Sequence, residues 1–497
     1  MDAVGGYAVP SRLFAWFALA LALATVAGCS VTPAFPVRPV QAHVQELAFD
    51  MDGDGRDDYW QQLDDHGRKA ELRFDTNGDG KPDEIVRPAE LPPSECLHAV
   101  IVLDGVPFEV VASLYEQGWL RLFPPPSRVV SVFPVMTDLA LSRVFANETC
   151  QGYEAQYWDR ARKRPSDGNW VYLSGANAPW RRRMDYSCSI WLDAKSYLDP
   201  ESLWRDELGG ITRALRRSQS GTVRVYSVAT AGLATRRGRD AIVDCLQTVD
   251  RLCERLTWER RGRIRFTVFA DHGHDLVAAE NVDLRPHLEA AGFRSSQRLE
   301  DHRSVYIARF GLVSCAVLNT QDPEGVAEAL VTHPAVDIVA YPKPAAPGNS
   351  VIIVRRGRET AEVSRDERGG FLYRAMEGDP LRLAAIRIGL SEAGKLTADG
   401  AASDRDWFDA TAGHDYPDPL YRVWLAFNEL VQNPADVIVS LKEGYYTGSG
   451  FFSAMVSVAS THGALTQRGS TTFAVSNHVA LPPTLRVEDL ARWVRPD

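Results

Sequence analysis

The sequence predicts an α/β fold with a largely parallel central sheet. Three apolar, β-rich runs lead directly into polar residues that can bind a metal or take part in catalysis, and helical segments follow at about 139–145 and 239–258. The chain has 497 residues, of which 45% are hydrophobic, enough for a substantial core. The three runs and the residues that follow them are 99–103 before Asp104, 129–136 before Thr137, and 263–270 before Asp271 and His272.

Polar residues at strand ends indicate a binding site, because open α/β sheets bind ligands at the carboxyl ends of their strands. Together the three ends offer two carboxylates, one or two imidazoles and a hydroxyl before a helix. Backbone N–H groups at a helix N-terminus favour an anion. Each feature alone is typical of an ordinary turn or helix cap. In combination they indicate metal-assisted phosphoryl transfer.

A fourth segment, residues 459–463, adds His462 downstream of the other three. In this order the motifs resemble the alkaline phosphatase superfamily, in particular its nucleotide pyrophosphatase/phosphodiesterase-like branch. The resemblance runs from about Cys96 to the C-terminus, and it implies an alkaline-phosphatase-like sandwich with a mostly parallel central sheet. The motifs are Leu103-Asp104-Gly105, Phe133-Pro134-Val135-Met136-Thr137, Ala270-Asp271-His272-Gly273 and Thr461-His462-Gly463.

The resemblance also implies roles for these residues. Asp104, Thr137, Asp271 and His272 would surround one Zn²⁺, with Thr137 as the nucleophile, and His462 would belong to a second metal. A metal on the threonine oxygen would lower the pKa of the hydroxyl and neutralise a phosphoryl oxygen. Attack would give a phosphothreonine, which water would hydrolyse. The implied activity is hydrolysis of a small phosphorylated substrate, either a phosphomonoester or a phosphodiester.

The second metal position departs from the family pattern, which has an Asp-x-x-x-His between the nucleophile and the Asp-His-Gly motif. Ala231 and Thr235 stand at the corresponding positions, between a predicted strand at 222–228 and the predicted helix at 239–258. His462 is therefore expected to lie alone in a depleted site, since one imidazole cannot fill a shell of three or four ligands. One Zn²⁺ is expected, or two if the second site is rebuilt.

Three interpretations of this departure are open. The enzyme works with one metal, with Arg236 or Arg237 supplying positive charge. Alternatively, the second site is rebuilt from other residues, for example His274 or residues 414–418. In the third interpretation the site binds without turnover, and the chain is a non-catalytic surface lipoprotein that keeps the fold and at most one metal.

The N-terminus predicts export and lipid anchoring. Residues 13–27 form an uncharged apolar run after Arg12, too short for a comfortable membrane span and of the length of a signal-peptide core. The run ends in Val26-Ala27-Gly28-Cys29, which resembles a bacterial lipobox. Cleavage would remove residues 1–28. Lipidation of Cys29 would then tether the chain through residues 29–48 to the membrane of the bacterial cell envelope, at the outer membrane or the periplasmic face.

The other six cysteines permit three disulfides in an exported chain, although their spacing does not give the pairing. Buried free thiols are the alternative. A metal role is not indicated, because no Cys-x-x-Cys pair occurs.

Residues 49–87 contain two Asp-rich segments offset by 25 residues, which predict two calcium-binding loops. Each has acidic or amide side chains at positions 1, 3, 5 and 9 and glycine at position 6, as in the first part of an EF-hand loop. The glutamate of position 12 is missing, because Gln61 and Val86 stand there, so a weakly bound structural Ca²⁺ is expected. The candidate ligands are Asp50, Asp52, Asp54 and Asp58 in the first loop and Asp75, Asn77, Asp79 and Asp83 in the second.

The net charge says little about the substrate. Residues 50–84 hold twelve acidic and five basic residues, so they carry most of the formal net charge of −10. Arginine-rich stretches at 160–164 and 180–183 would steer an anionic ester or simply lie on the solvated surface. A nucleic-acid partner is not indicated.

The catalytic domain is predicted to comprise residues 96–284 and 381–497. Between them, short apolar runs at 304–308, 335–340 and 350–354 alternate with a helical segment at 323–332. This pattern predicts a small α/β cap subdomain at residues 285–380. In the family that the motifs resemble, similar insertions narrow the mouth of the active site and set specificity.

Overall fold

The computed structural model describes residues 35–36, 44–146, 148–193, 195–309, 311–343, 350–448 and 450–495. The predicted signal peptide, Cys29 and most of the tether lie outside these residues. Within the described ranges, no helix combines the length and apolar character needed to cross a membrane.

The N-terminal segment folds as an antiparallel sheet of four strands, which follow one another in chain order. The first strand begins inside the predicted tether, and the two Asp-rich segments are the turns after the first and third strands. Tyr59 stacks between Phe49 and Phe74, with ring centroids 5.8 and 5.1 Å away, so one face of the sheet is buried. The strands are β1 Glu46–Phe49, β2 Tyr59–Leu63, β3 Lys69–Phe74 and β4 Glu84–Val86.

The next part of the chain alternates strands and helices. Its strands are β5 Leu97–Leu103, β6 Ser127–Val130, β7 Trp158–Asp159, β8 Arg164–Pro165, β9 Gly221–Ser227, β10 Ile264–Ala270 and β11 Glu280–Asn281. Its α-helices are α1 Phe108–Glu116, α2 Thr137–Phe145, α3 Gly168–Leu173, α4 Lys195–Leu198, α5 Pro200–Arg217, α6 Ala229–Arg237 and α7 Arg239–Glu259. Short 3-10 helices lie at Pro88–Glu90, Pro93–Glu95, Pro179–Arg183 and Ile190–Leu192.

The remaining chain is richer in strands. They are β12 Arg294–Ser295, β13 Ser304–Ile307, β14 Leu312–Val313, β15 Cys315–Thr320, β16 Val336–Lys343, β17 Val351–Arg356, β18 Glu359–Arg365, β19 Phe371–Glu377, β20 Ala401–Ala402, β21 Val437–Leu441, β22 Tyr445–Gly448, β23 Thr471–Ser476 and β24 Thr484–Arg486. The helices are α8 Arg285–Ala290, α9 Pro323–Leu330, α10 Ala384–Glu392, α11 Asp404–Thr411, α12 Pro419–Asn428, α13 Gly450–Met455, α14 Gln467–Ser470 and α15 Ala491–Val494, with a 3-10 helix at Val487–Leu490.

Six strands form the central sheet, in the order β24-β6-β23-β10-β5-β9. β5 pairs in parallel with β10 and β9, β24 pairs in parallel with β6, and β23 runs antiparallel between β10 and β6. The mostly parallel sheet expected from the sequence is therefore confirmed. Alternate residues of β5 enter two cores: Ile101 and Leu103 pack with α1 and α7, whereas Val100 and Val102 pack with α2. The sheet is thus covered on both faces.

A second sheet has nine strands in the order β12-β13-β15-β21-β16-β17-β18-β19-β20. Apart from the β12–β13 pair its pairing is antiparallel, and α9 and α12 cover its two faces. The predicted cap, residues 285–380, supplies most of this sheet, but β20 and β21 come from beyond residue 380. One continuous core contains side chains of both sheets. The second sheet is therefore packed against the central one rather than hinged over it.

A buried polar cluster joins the N-terminal sheet to α7. Lys69 on β3 forms an ion pair with Glu254, and the Gln61 side-chain amide donates to the same carboxylate at 2.9 Å. The side chains of Lys69 and Glu254 are only 6% and 2% exposed. Because neither charge reaches water, removing one partner of such a pair costs about 3–5 kcal/mol. This cluster fixes the N-terminal sheet to the central domain.

The six described cysteines are all buried free thiols: Cys96, Cys150, Cys188, Cys245, Cys253 and Cys315. Burial raises the pKa of the Cys150 thiol to about 12, which keeps it protonated and unreactive at neutral pH. Of the two alternatives that the sequence leaves open, the structure has free thiols rather than disulfides.

Candidate metal centre

Strand pairing sets two carboxylates side by side. β5 and β10 are parallel neighbours in register, with Leu103 opposite Ala270 at their carboxyl ends. The next residue after each strand is an aspartate, so Asp104 and Asp271 meet at the same edge of the sheet. His272 follows Asp271 directly.

The predicted nucleophile joins this pair. Thr137 begins α2, and its Oγ1 lies 3.2 Å from His272 Nε2 and 3.3 Å from Asp104 Oδ1. His272 Nε2 in turn lies 3.3 Å from Asp104 Oδ1 and 3.4 Å from Asp271 Oδ2. The structure thus brings together the four residues for which the family resemblance implies a first metal site.

The two carboxylates are deeply buried. Asp104 is 4% exposed and Asp271 is fully buried. Burial and the neighbouring Asp271 raise the pKa of Asp104 well above its usual range, and burial raises the pKa of Asp271 to about 7. In the described part of the chain, neither carboxylate pairs with lysine or arginine, and Asp271 Oδ2 accepts no hydrogen bond. A divalent cation would satisfy both groups.

His272 is oriented as a ligand through Nε2. Its Nδ1 lies 2.8 Å from the Gly273 carbonyl oxygen, which can only accept, so Nδ1 carries the proton and Nε2 the lone pair. Burial lowers the pKa of His272 to about 4, so the ring is neutral at pH 7. A neutral imidazole beside two carboxylates is a donor set that suits Zn²⁺.

Two residues that the sequence did not single out hold Asp104 in place. The Tyr226 hydroxyl donates to Asp104 Oδ2, and the Thr230 hydroxyl donates to the Asp104 backbone carbonyl at 2.7 Å. Tyr226 lies on β9 opposite Val102, so the pairing of β9 with β5 sets its ring beside the carboxylate. Its sequence signal, a tyrosine near the end of an apolar run, is shared by ordinary core aromatic residues.

His462 does not lie alone, contrary to the expectation from the sequence. One ring nitrogen from each of His272, His274 and His462 lies within 4.8 Å of the others. The His462 ring stacks on His272 with centroids 4.0 Å apart and lies 5.2 Å from the His274 ring. Ala231 and Thr235 are on α6 and offer neither a carboxylate nor an imidazole. His274, one of the alternatives considered above, is the residue that accompanies His462.

The other alternative contributors have different partners. Arg237 is 63% exposed and pairs with Glu201. His414 contacts the Arg382 carbonyl, with its Nε2 3.1 Å from that oxygen. Among the described residues, the groups that could hold a metal ion include none of residues 414–418.

A cavity of about 160 Å³, open to solvent, adjoins Thr137. Trp180 and Arg181 form part of its wall, and the Trp180 indole donates to Asp138 Oδ1 at 2.9 Å. Arg181 is held by an ion pair with Asp193, and its guanidinium lies 5.1 Å from the Trp180 ring centroid. The cavity's opening to solvent gives a small substrate access to Thr137.

The two Asp-rich turns have the same internal hydrogen bonds. Asp50 accepts from the Gly53 and Gly55 amides at 2.6 and 2.9 Å, and Asp75 accepts from the Gly78 and Gly80 amides at 2.7 and 2.6 Å. In the first turn, carboxylate oxygens of three aspartates lie within 4.8 Å of one another: Asp50, Asp52 and Asp54. Both turns therefore curl around their first aspartate.

No family model and no curated protein matches the chain. Similar solved structures include human ectonucleotide pyrophosphatase/phosphodiesterase 5, with a TM-score of 0.42, 10% identity, and coverage of 80% of this chain and 93% of that chain. Another is phosphonoacetate hydrolase from Sinorhizobium meliloti 1021 in complex with phosphonoacetate, with a TM-score of 0.41, 12% identity, and coverage of 85% and 98%. These similarities are distant, and the function is inferred from the site.

Tyr226→Phe is expected to lower the affinity for Zn²⁺ by roughly ten-fold or more, because Asp104 loses the hydroxyl that orients its carboxylate. Competition with a chromogenic chelator measures the affinity. Tyr306→Phe is the matched control, since Tyr306 is equally buried but its hydroxyl bonds to none of the described residues. Wild-type affinity in Tyr226→Phe would refute the orienting role of the hydroxyl.

Proposed function

We propose that this protein is a metal-dependent hydrolase of phosphate esters, of the alkaline phosphatase superfamily, with a small phosphomonoester or phosphodiester as substrate. The position of the Thr137 hydroxyl carries this proposal. It lies at the start of α2, 3.2 Å from His272 Nε2 and 3.3 Å from Asp104 Oδ1, beside an open cavity. A threonine hydroxyl needs activation and an anion-binding environment to attack phosphorus, and this position supplies both.

Asp104, Asp271 and His272 would hold a metal ion at this position. When bound, Zn²⁺ would lower the pKa of the Thr137 hydroxyl and offset the charge of the phosphoryl group. The protein keeps the ligands in place: Tyr226 donates to Asp104, and the Gly105 amide donates to Asp271 Oδ1 at 3.2 Å. The first N–H groups of α2 lack partners within the helix, so they are available to a phosphoryl oxygen.

The reaction then takes two displacements. In the first, Thr137 Oγ forms a bond to phosphorus, its hydroxyl proton passes to water, and the bond from phosphorus to the leaving alcohol oxygen breaks. The departing oxygen takes up a proton to give the free alcohol. In the second, water attacks the phosphothreonine, the bond from phosphorus to Thr137 Oγ breaks, and the hydroxyl is restored. The product is phosphate from a monoester, or a monoester from a diester.

Thr137→Ala is expected to reduce turnover of p-nitrophenyl phosphate or its bis ester roughly thousand-fold or more, because no other group replaces the nucleophile. Thr137→Ser keeps a hydroxyl at the same position and should retain a substantial part of the rate. Zinc content and thermal unfolding of Thr137→Ala should stay close to those of the wild type.

Wild-type turnover in Thr137→Ala would remove this residue from the mechanism. If zinc-loaded wild type hydrolyses neither ester, the second candidate is favoured, in which the chain is a non-catalytic surface lipoprotein that retains the fold. The depleted family pattern at Ala231 and Thr235 is the observation behind that candidate.

We also propose that the Asp-rich turns bind structural Ca²⁺ and that the exported chain is anchored by a lipid on Cys29. The shared hydrogen-bond pattern around Asp50 and Asp75 supports the first proposal. The small residues before Cys29 support the second, and recovery of Cys29→Ser in the soluble rather than the membrane fraction would test it.

Calcium is expected to slow tryptic cleavage within residues 44–87, because the ion would tie each turn to its first aspartate. The double variant Asp50→Ala, Asp75→Ala should lose this protection. Asp65→Ala, which changes an exposed acid outside both turns, should keep it. Cleavage of the wild type at the same rate with and without Ca²⁺ would contradict the calcium proposal.

A further inference from the structure

His274 is buried in the metal centre with one ring nitrogen unsatisfied. Its exposure is 0%, and its Nε2 has no hydrogen-bond partner among the described residues. Buried polar atoms of this kind are uncommon, because desolvation is not repaid unless a partner is supplied. Two further histidine rings lie beside it, those of His272 and His462, with centroids 5.9 and 5.2 Å away.

The hydrogen bonds around His274 determine which nitrogen carries the lone pair. Its Nδ1 lies 3.1 Å from Ser460 Oγ. The Ser460 hydroxyl donates to Asp275 Oδ1 at 3.1 Å, so its oxygen is left to accept, as it does from the Leu276 amide at 2.9 Å. His274 Nδ1 is therefore the donor, and the lone pair lies on the buried Nε2.

The other two histidines have the same polarity. His462 Nδ1 lies 2.8 Å from the Val135 carbonyl, and His272 Nδ1 lies 2.8 Å from the Gly273 carbonyl. Carbonyl oxygens only accept, so each ring is protonated at Nδ1 and has its lone pair on Nε2. Three neutral imidazoles thus surround one space, and the Nδ1 of each ring donates to an acceptor outside that space.

The surroundings of His274 also explain how it reaches this space. A Cβ added to Gly105 would lie 2.7 Å from His274 Nε2 and 3.3 Å from the Ala231 Cβ. The His274 ring and the Ala231 methyl group therefore flank the same point. His274 stands beside the position at which the family pattern has its aspartate, and the small residues Gly105 and Ala231 leave room for the ring.

We propose that His274 is a metal ligand that acts with His462 at the second metal position, in place of the ligands missing at Ala231 and Thr235. His272 Nε2 has one lone pair, so it remains a ligand of the ion held by Asp104 and Asp271. Two neutral imidazoles supply half of a tetrahedral Zn²⁺ shell and leave two positions open. The Asp275–Ser460–His274 chain fixes the ring, as outer hydrogen bonds do for other metal-bound histidines. The inference rests on the proposed metal centre and adds one ligand to it.

Zinc binding by the full chain tests the proposal, measured by competition with a chromogenic chelator on wild type, His274→Asn and His274→Ala. Asparagine can keep the hydrogen bond to Ser460 but has no atom at the position of Nε2. Both variants should bind Zn²⁺ roughly ten-fold or more weakly than the wild type, or bind fewer ions. The control is His302→Asn, an exposed histidine, which should bind as the wild type does.

Different outcomes separate this inference from the proposed function. If the wild type binds zinc and both His274 variants bind it equally well, His274 is not a ligand. The assignment of Asp104, Asp271 and His272 as ligands would still stand. If Asn restores wild-type affinity and Ala does not, His274 acts only through Ser460, which also overturns the proposal. Absence of zinc binding in the wild type overturns the proposed function as well. Visible absorption of the Co²⁺-loaded proteins is a second readout, and it should differ between wild type and His274→Asn.

Discussion

The parallel pairing of β5 with β10 is the constraint on which the metal centre depends. It places Asp104 and Asp271 next to each other at the carboxyl ends of the two strands, one residue beyond Leu103 and Ala270. Both carboxylates are buried, and no lysine or arginine of the described chain pairs with them. Two such groups stay ionised together only when a positive charge lies between them, and otherwise one of them takes up a proton. The fold therefore creates a site that a divalent cation would complete.

The surrounding elements serve this pair in different ways. α2 brings the Thr137 hydroxyl to the carboxylates, and β9 brings Tyr226 to orient one of them. The segment of residues 459–463 brings the His462 ring against that of His272. The second sheet shares a core with the central one and holds these pieces in a single packed body. The proposed nucleophile and the candidate metal ligands thus meet at one edge of the central sheet.

The site residues that follow a local sequence pattern are predictable from the sequence. Asp104, Asp271 and His272 directly follow apolar runs, and Thr137 directly precedes a helix, so each could be placed at a strand or helix end from its own neighbours. Site residues whose position depends on contacts between distant parts of the chain are not predictable in this way. Tyr226 matters because β9 lies beside β5. His274 is one of two candidates in the sequence, and the choice between them depends on Ser460, 186 residues away, which orients its ring. Likewise, β20 and β21 belong to the second sheet although helices separate them from its other strands.

Zinc-edge anomalous diffraction from crystals of the zinc-loaded chain tests the need for a cation most directly. A peak is predicted about 2.0–2.2 Å from the facing oxygens of Asp104 and Asp271 and from His272 Nε2, the usual zinc distances to carboxylate and imidazole ligands. A protein that crystallises from excess zinc without a peak between these two carboxylates would contradict the account.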